Sequence, residues 1–479
     1  MTVPLCVDCD GTLLRTDLLH EAILRLLKRR PWMIFVMIGW LLGGKADFKA
    51  RVAARAPVDP RHLPLRDEVM ALIAGARAEG RPVILATAAD RSHAQAVADH
   101  LGLFDDVLST EGQNLASHAK ARALVDRYGE KGFDYVGDSK ADVAIWAVAR
   151  KAYVVAATRD LARRLKRGGI AAEALGPAPK VLRPLAKALR PHQWLKNLLV
   201  LLPPLAGHQL NAYTLTRAGL AFLAFSLCAS SVYLLNDLLD VDADRVHARK
   251  YKRPFAAGTL KVMTGAKLSP LLFLASLGVA ALAGPLFLFT LLVYAAMTTL
   301  YSFKLKQHVI VDVILLAMLY TIRIIGGSAA THISPSFWLL AFAMFLFFSL
   351  ALVKRHSEVA PLLAKDEGGQ IAGRGYVAAD LPVLMALGVA SGMNAVLVLA
   401  LYLDSDAVRA IYPSNRPILI APALVLYWIG RLWMKTQRGE VHDDPVVFAA
   451  KDWQTLVILA VLAALFLLAS AGLFAHHFP

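Results

Sequence analysis

The chain has 479 residues, 57% of them hydrophobic, with 52 Lys+Arg against 36 Asp+Glu and a formal net charge of +16. That length exceeds one ordinary domain, and its three cysteines, Cys6, Cys9 and Cys228, exclude a disulfide framework. The basic excess comes without a recognised nucleic-acid motif, so it is read as cytoplasmic loops facing anionic lipid heads, with no nucleic acid as partner.

The start, MTVPLCVDCDG, has neither a basic leader nor a long apolar core, so the N-terminal part is expected to stay in the cytoplasm. Residues 3–7 (VPLCV) form a short β-rich run that ends in DCDGTLLRTD. Side chains alternate along a strand, so Asp8 and Asp10 point the same way at its carboxyl end, where ligands of open α/β sheets bind. Cys6 and Cys9 bracket Asp8, and their C-x-x-C spacing is read as coincidence rather than redox chemistry. A second apolar run, VILAT, ends at Thr87. SHAKARALVDRYG predicts a helix carrying Lys120, and FDYVGDSKADVAIW places Asp138 and Asp142 after Gly137. Strands alternating with helices predict an α/β, Rossmann-like, doubly wound domain.

These four pieces, in this order, resemble the phosphatases of the haloacid dehalogenase superfamily, whose pattern is DxDGT, a Ser/Thr ending a strand, a Lys, and GDxxxD. The resemblance covers about residues 3–160. It implies that Asp8 attacks phosphorus to form an aspartyl-phosphate, while Asp10 protonates the leaving oxygen and later activates water. It also implies Mg²⁺ between Asp8, Asp138 and the Asp10 carbonyl, with Thr87 and Lys120 on the phosphoryl oxygens and Asp142 as a supporting partner. An inactive scaffold is the alternative. A helical cap is expected over about residues 14–80. Within it, PWMIFVMIGWLLGG (31–44) is too short to span a bilayer, which leaves a buried cap helix or an interfacial segment as the two readings.

Gly and Pro near 176–179 mark a linker, and 180–190 reads as a basic amphipathic helix on the membrane surface. The expected domains are therefore 1–175, a linker at 176–190, and 191–479. From about Leu195, nine apolar segments of spanning length follow: 195–211, 216–236, 267–284, 285–303, 309–331, 336–353, 381–403, 416–434 and 453–475. They predict an all-α nine-helix transmembrane bundle. Starting inside, the cytoplasmic loops hold most of the Lys and Arg, whereas the opposite loops hold Arg409 and Arg416, as the positive-inside rule requires. This orientation places the protein in the inner (cytoplasmic) membrane, with its phosphatase domain in the cytoplasm.

The second segment ends in NDLLDVDADRVHARKYKRPF, which sets Asn236, Asp237, Asp240 and Asp244 beside Arg245, Lys250 and Arg253. Carboxylates at i, i+3 or i+4 and i+7 share a helix face and can hold Mg²⁺, while the cations after them can grip phosphate oxygens. RPHQWLKN brings Lys196 to the cytoplasmic interface. On the fifth segment Asp312 and Arg323 return to nearly the same face, and Arg323 with Tyr320 is expected to line a polar cavity, a structural salt bridge being the alternative. The sixth segment ends in LVKRHSEV, with Lys354, Arg355 and Glu358.

This half resembles the UbiA superfamily of intramembrane prenyltransferases, with nine helices and NDxxDxxxD after the second. The usual second Asp-rich motif is replaced here by KRHSE. RPHQWLKN, NDxxDxxxDRxHxxKxxRP, YSxxLK…D…R and KRxxE together look like the decaprenyl-phosphate phosphoribosyltransferase branch, apart from Ala248, where that branch commonly has Pro. That resemblance implies transfer of 5-phosphoribose from phosphoribosyl diphosphate to a polyprenyl phosphate. Mg²⁺ would sit on Asp237, Asp240 and Asp244 with Asn236 assisting. Arg245, Lys250 and Arg253 would contact phosphate near the loop, and Lys196, Arg323, Lys354 and Arg355 the acceptor or the 5-phosphate, with Asp312 and Tyr320 in the same set. The attached phosphatase would then remove the 5-phosphate. The competing readings are prenyl transfer to an aromatic acceptor, which labelled prenyl diphosphate would reveal, and a non-catalytic lipid-binding protein, which would show no metal-dependent turnover.

Overall fold

The computed structural model describes residues 2–247, 249–363, 374–406, 408, 412, 416–441 and 444–471. Ala248, Arg409, part of the loop 354–380 and the end of the last apolar segment lie outside the described residues. The chain packs as two compact units: Met1–Leu189 with Tyr233–Pro270, and Arg190–Val232 with Leu271–Pro479. The Asp-rich segment thus packs with the N-terminal residues.

The first unit is built on six parallel strands: β1 (Leu5–Val7), β2 (Val83–Asp90), β3 (Asp106–Thr110), β4 (Asp134–Gly137), β5 (Ala152–Val155) and β6 (Ala172–Leu175), in the order β3-β2-β1-β4-β5-β6. A parallel sheet is covered on both faces, so its strands read as continuous apolar runs. Leu5, Val7, Val83, Leu85 and Val136 join one core, while Cys6, Ile84, Ala86 and Tyr135 join the other. Cys6 and Cys9 are buried free thiols.

The insert between β1 and β2 begins with three helices, α1 (Leu18–Arg29), α2 (Met33–Leu41) and α3 (Lys45–Arg55). Asp17 caps α1 by accepting from the His20 amide at 2.9 Å. In α2 the apolar run is buried along one side only, which partly meets the buried-helix reading. Met33, Met37 and Trp40 are buried in the core, whereas Phe35 is 76% exposed and Leu42 beyond the helix end 91%. The basic stretch 180–190 forms the helix Leu182–Leu189.

Among the described residues eight helices are long and apolar enough to cross a membrane: Ala212–Leu239, Val262–Ala283, Pro285–Phe303, Val311–Thr331, Phe337–Pro361, Ala378–Leu403, Arg416–Gln437 and Trp453–Ser470. The first of the nine expected segments differs from a long α-helix. It is a 3₁₀ helix, Pro191–Leu201, followed by the short α-helix Leu202–Ala206. Pro203 and Pro204 remove the two N–H donors that would close α-helical bonds to the carbonyls of residues 199 and 200. The tighter coil compensates in length. Eleven residues at about 2.0 Å and five at about 1.5 Å reach roughly 30 Å, the thickness of a hydrocarbon core. The chain is therefore an α/β domain with a helical insert, followed by an all-α membrane bundle.

Candidate active sites

Val7 pairs with both Leu85 and Val136, so the carboxyl ends of β1, β2 and β4 lie side by side where the strand order reverses. Asp8 and Asp138 follow directly from β1 and β4, whereas Thr87, expected to end its strand, lies inside β2, which runs on to Asp90 after a register shift against β3. Lys120 donates to Asp8 Oδ1 at 2.7 Å and to the Tyr135 hydroxyl at 3.0 Å, and that hydroxyl donates to Asp142 Oδ1 at 2.9 Å. Asp142 is further fixed by the Ser139 amide and hydroxyl at 3.0 and 2.8 Å. The Thr87 hydroxyl, fully buried, accepts from the Ala89 amide at 3.0 Å. Asp10 turns toward α1, where its Oδ1 accepts from the Leu18 amide at 2.8 Å. Gly11, at φ +80°, lets the loop pass so close to Asp138 that a Cβ would fall on that carboxylate.

Carboxylate oxygens of Asp8, Asp138 and Asp142 lie within 4.8 Å of one another. Burial pushes the Asp8 carboxyl up to about 7, with Lys120 opposing and Asp142 and Asp138 adding to the rise. Burial, and then Asp17, push Asp10 well above the usual range. Burial also raises Asp138, with Lys261 opposing. Three crowded hard oxygen donors facing one buried ammonium fit a divalent cation such as Mg²⁺. Asp142 belongs to this group by its carboxylate, whereas the expected contribution of Asp10 is by its backbone carbonyl. Tyr135, which joins Lys120 to Asp142, was missed in the sequence because an aromatic residue inside an apolar strand reads as core.

The Asp-rich segment departs from a single helix face. The helix Ala212–Leu239 ends at Asp240, and a new short helix, Val241–Val246, begins. Asp237 and Asp244 still meet, both accepting from Arg253 at 3.2 and 2.8 Å. Asp240 instead pairs with Lys28 of α1 at 3.0 Å, and Asp242 takes both guanidinium arms of Arg25 at 2.6 and 2.7 Å. Arg245 grips Glu21 twice, at 2.9 and 2.6 Å, and donates to the Ala256 carbonyl at 3.2 Å. Among the described residues the only group of three or more such side chains spaced to hold a metal is Asp8, Asp138 and Asp142. The i, i+3, i+7 expectation assumed one unbroken helix through Asp237, Asp240 and Asp244, whereas Asp240 stands between two helices and pairs with Lys28. Asn236 precedes Asp237 on the last helical turn, its carbonyl accepting from the Asp240 amide at 2.9 Å. Lys250 opens the turn Lys250–Lys252.

In the second unit, Lys196, Lys354 and Tyr320 converge on Asp444. Lys196 Nζ lies 2.5 Å and Lys354 Nζ 3.6 Å from Asp444 Oδ2, and the Tyr320 hydroxyl donates to Oδ1 at 3.3 Å. Burial would raise the Asp444 carboxyl, but Lys196 and Lys354 hold it well below the usual carboxylate range. Asp444 was missed in the sequence. Its signal was Asp before Pro445 at a helix start, where its side chain accepts from the Val446 amide at 3.1 Å.

Arg323 is buried, donating to Asn197 at 2.8 Å and the Tyr294 hydroxyl at 3.0 Å, with its guanidinium 4.9 Å from the Tyr294 ring centre. The salt bridge considered between Asp312 and Arg323 does not form, because eleven residues separate them by about 16 Å along the helix axis. Asp312, fully buried, instead pairs its Oδ2 with Arg355 Nη2 at 2.5 Å and accepts from the Tyr376 hydroxyl at Oδ1 at 2.5 Å.

The haloacid dehalogenase-like hydrolase family model matches residues 5–146, and the UbiA prenyltransferase family model matches residues 200–450. "Uncharacterized protein y4nM" of Sinorhizobium fredii is 35% identical over 471 residues, covering 98% of this chain and 91% of its own length. "Nodulation protein NoeC" of Azorhizobium caulinodans is 35% identical over 281 residues, 58% of this chain and 90% of that one. "Decaprenyl-phosphate phosphoribosyltransferase" of Mycobacterium tuberculosis is 38% identical over 200 residues, 41% of this chain and 66% of that one. A phosphatase-like carboxylate centre thus precedes a bundle of membrane helices whose family match spans more than half of the chain, and the protein belongs to the UbiA prenyltransferase family, as a multi-pass membrane member carrying a haloacid dehalogenase-like hydrolase domain.

Proposed function

We propose that the protein transfers 5-phosphoribose from phosphoribosyl diphosphate to a polyprenyl phosphate and then removes the 5-phosphate, yielding a polyprenyl-phosphoryl ribose. What supports this reading is the union in one chain of a carboxylate-rich, phosphatase-like centre with a stretch of 200 residues, 41% of the chain, that is 38% identical to a phosphoribosyltransferase. The first product of such a transferase keeps a phosphomonoester, which is what the attached domain would consume. We assign the division of the chain at 176–190, and the inner-membrane location with residues 1–175 in the cytoplasm, on the same reading.

In the transfer, the anomeric C–O bond to diphosphate breaks, and an oxygen of the lipid phosphate forms the new bond from the opposite face. The acceptor is already an anion, so no protein base is needed. Asp237 and Asp244, with Asn236 and Asp240 beside them in the sequence, would hold Mg²⁺ on the leaving diphosphate, and Lys250 and Arg253 would contact its oxygens. Lys196, Lys354, Tyr320 and Arg323 would bind the acceptor phosphate or the 5-phosphate. Arg355 and Asp312 act through each other to fix the end of the sixth segment.

In the phosphatase step Asp8 attacks phosphorus, the monoester P–O bond breaks, and Asp10 gives its proton to the departing ribose oxygen. The raised Asp10 carboxyl suits that donation near neutral pH. Water then cleaves the aspartyl-phosphate as Asp10 takes its proton. Lys120 and Thr87 would hold the phosphoryl oxygens. Mg²⁺ at Asp8, Asp138 and Asp142 would supply charge neutralisation for the carboxylates and the phosphoryl group.

The test compares the lipid products of the intact protein and Asp8→Asn by mass, given phosphoribosyl diphosphate, polyprenyl phosphate and Mg²⁺. The variant should accumulate a lipid heavier by one phosphate. Identical phosphorylated products would remove the coupled second step, and labelled prenyl diphosphate appearing in an acceptor would favour prenyl transfer.

A further inference from the structure

The phosphatase cleft has one wall that the phosphatase motifs do not supply. Its volume is about 330 Å³, and beside Asp8, Lys120 and Asp138 it is lined by Lys261, Val262 and Met263. These three residues belong to the stretch after the Asp-rich segment, outside the residues matched as hydrolase. Their place is held by contacts within the first unit. The Arg245–Glu21 and Arg25–Asp242 pairs anchor the segment upstream. Gly258, at φ +65°, brings its backbone against Arg15, where a Cβ would overlap the Arg15 side chain and carbonyl. Lys261 then reaches to 3.5 Å from Asp138 Oδ2, and its side chain stays 76% exposed.

We propose that Lys261 is a specificity-determining residue of the phosphatase, reading a second anionic group on a phosphomonoester substrate while Val262 and Met263 face an apolar part of the same molecule. The monoester itself is provided for by Lys120, Thr87 and the carboxylate centre. A further cation on an exposed, adjustable stem at the mouth serves charge lying beyond the reacting phosphate. A cleft of about 330 Å³ encloses a sugar phosphate but not a long isoprenoid, so a lipid chain must leave past that mouth. Resting on the function proposed above, the substrate class is a ribosyl 5-phosphate whose anomeric carbon carries a lipid phosphodiester. That diester is the second anion.

The experiment measures kcat/KM in the full-length protein with Mg²⁺ for polyprenyl-phosphoryl ribose 5-phosphate, for a soluble sugar bisphosphate and for p-nitrophenyl phosphate. Lys261→Ala should lower the ratio of the first to the last by at least about tenfold, mainly through KM, as expected for loss of one charged contact. Lys261→Arg should recover most of it. A ratio unchanged in Lys261→Ala overturns the proposal, whether both activities fall together or neither does. Should the lipid not be a substrate of the intact protein, the phosphoribosyl reading fails on its own. A bisphosphate ratio that still depends on Lys261 then sustains the second-anion role, and one that does not overturns it.

Discussion

Arg245 was expected on a substrate phosphate, and the structure spends it on Glu21. Both side chains are nearly closed to solvent, at 4% and 2% exposure, and the pair is bidentate. Glu21 also accepts from the Thr16 hydroxyl at 2.5 Å, so every strong donor around it is internal. Removing one partner leaves the other charged and buried, which costs about 3–5 kcal/mol, whereas replacing both by apolar residues of similar volume is often neutral. Glu21→Met and Arg245→Met should each lower the opening free energy of α1 by that amount, and the double variant should be more stable than either single by about 2 kcal/mol or more. Hydrogen exchange of the α1 amides in the full-length protein reads this directly. A phosphate-binding Arg245 predicts something else: Glu21→Met would leave donor affinity intact, and Arg245→Lys would raise the KM for phosphoribosyl diphosphate at unchanged stability. Additive single effects below about 1 kcal/mol, together with that KM change, would refute the pairing argument.

Two further outcomes follow from the geometry of each unit. Lys354→Ala should raise the KM for an anionic substrate roughly 10- to 100-fold, since a contact between a charged group and phosphate contributes about 1.5–3 kcal/mol. Arg355→Ala should instead lower thermal stability, by about 3–5 kcal/mol, because it strands the fully buried Asp312, and steady-state kinetics beside thermal unfolding would refute the assignment if the two phenotypes were exchanged. For the phosphatase centre, the native Asp8 carboxyl near 7 against 3.8 for an ordinary aspartate means the folded state binds more protons between those values. Without Mg²⁺, local stability around Asp134–Gly137 should therefore fall as pH rises from about 4 to about 7, and Mg²⁺ should protect more at pH 7.5 than at pH 5. Equal protection at both values by hydrogen exchange would contradict this.

The sequence made the carboxylate centre legible because Asp8 and Asp138 sit where strands end, and strand ends in a parallel sheet converge whatever the loops do. Those two needed only strand placement and Lys120 only a helix between strands, while Thr87, read as a strand end, sits within β2. The Asp-rich segment was less legible. Its spacing fits one helix face only while the helix continues, and nothing in LLDVDADR announces a break at Asp240. Partner choice was also hidden: the ion pairs Arg25–Asp242 and Asp312–Arg355 join residues distant in sequence, which periodicity along one element cannot reveal. The first membrane segment shows the reverse case. Pro203 and Pro204 were visible, and counting lost N–H donors would have predicted an interruption of the α-helix at the carbonyls of residues 199 and 200.

The two clusters differ in the sign of the charge they leave unbalanced, and that difference decides what each can bind. Around Asp8 stand Asp138 and Asp142 with one buried ammonium, Lys120, so the surplus is negative and burial lifts the carboxyls of Asp8 and Asp138. A buried surplus of carboxylate is relieved by protons or by a cation, and only the cation leaves Asp8 ionised as a nucleophile. Around Asp444 stand Lys196 and Lys354 against one carboxylate, so the surplus is positive. A buried surplus of ammonium is relieved by releasing a proton or by an anion, and only an anion brought by the substrate leaves both lysines charged. A phosphate would thus compete with Asp444 for the two ammonium groups, and Asp444, already ionised, holds them in place until it arrives. On this argument Asp444→Asn should tighten phosphate binding while loosening the geometry that Lys196 and Lys354 share. The expected signature is a lower KM with a lower kcat, and a variant with unchanged KM would show that the carboxylate and the substrate do not contend for the same charges.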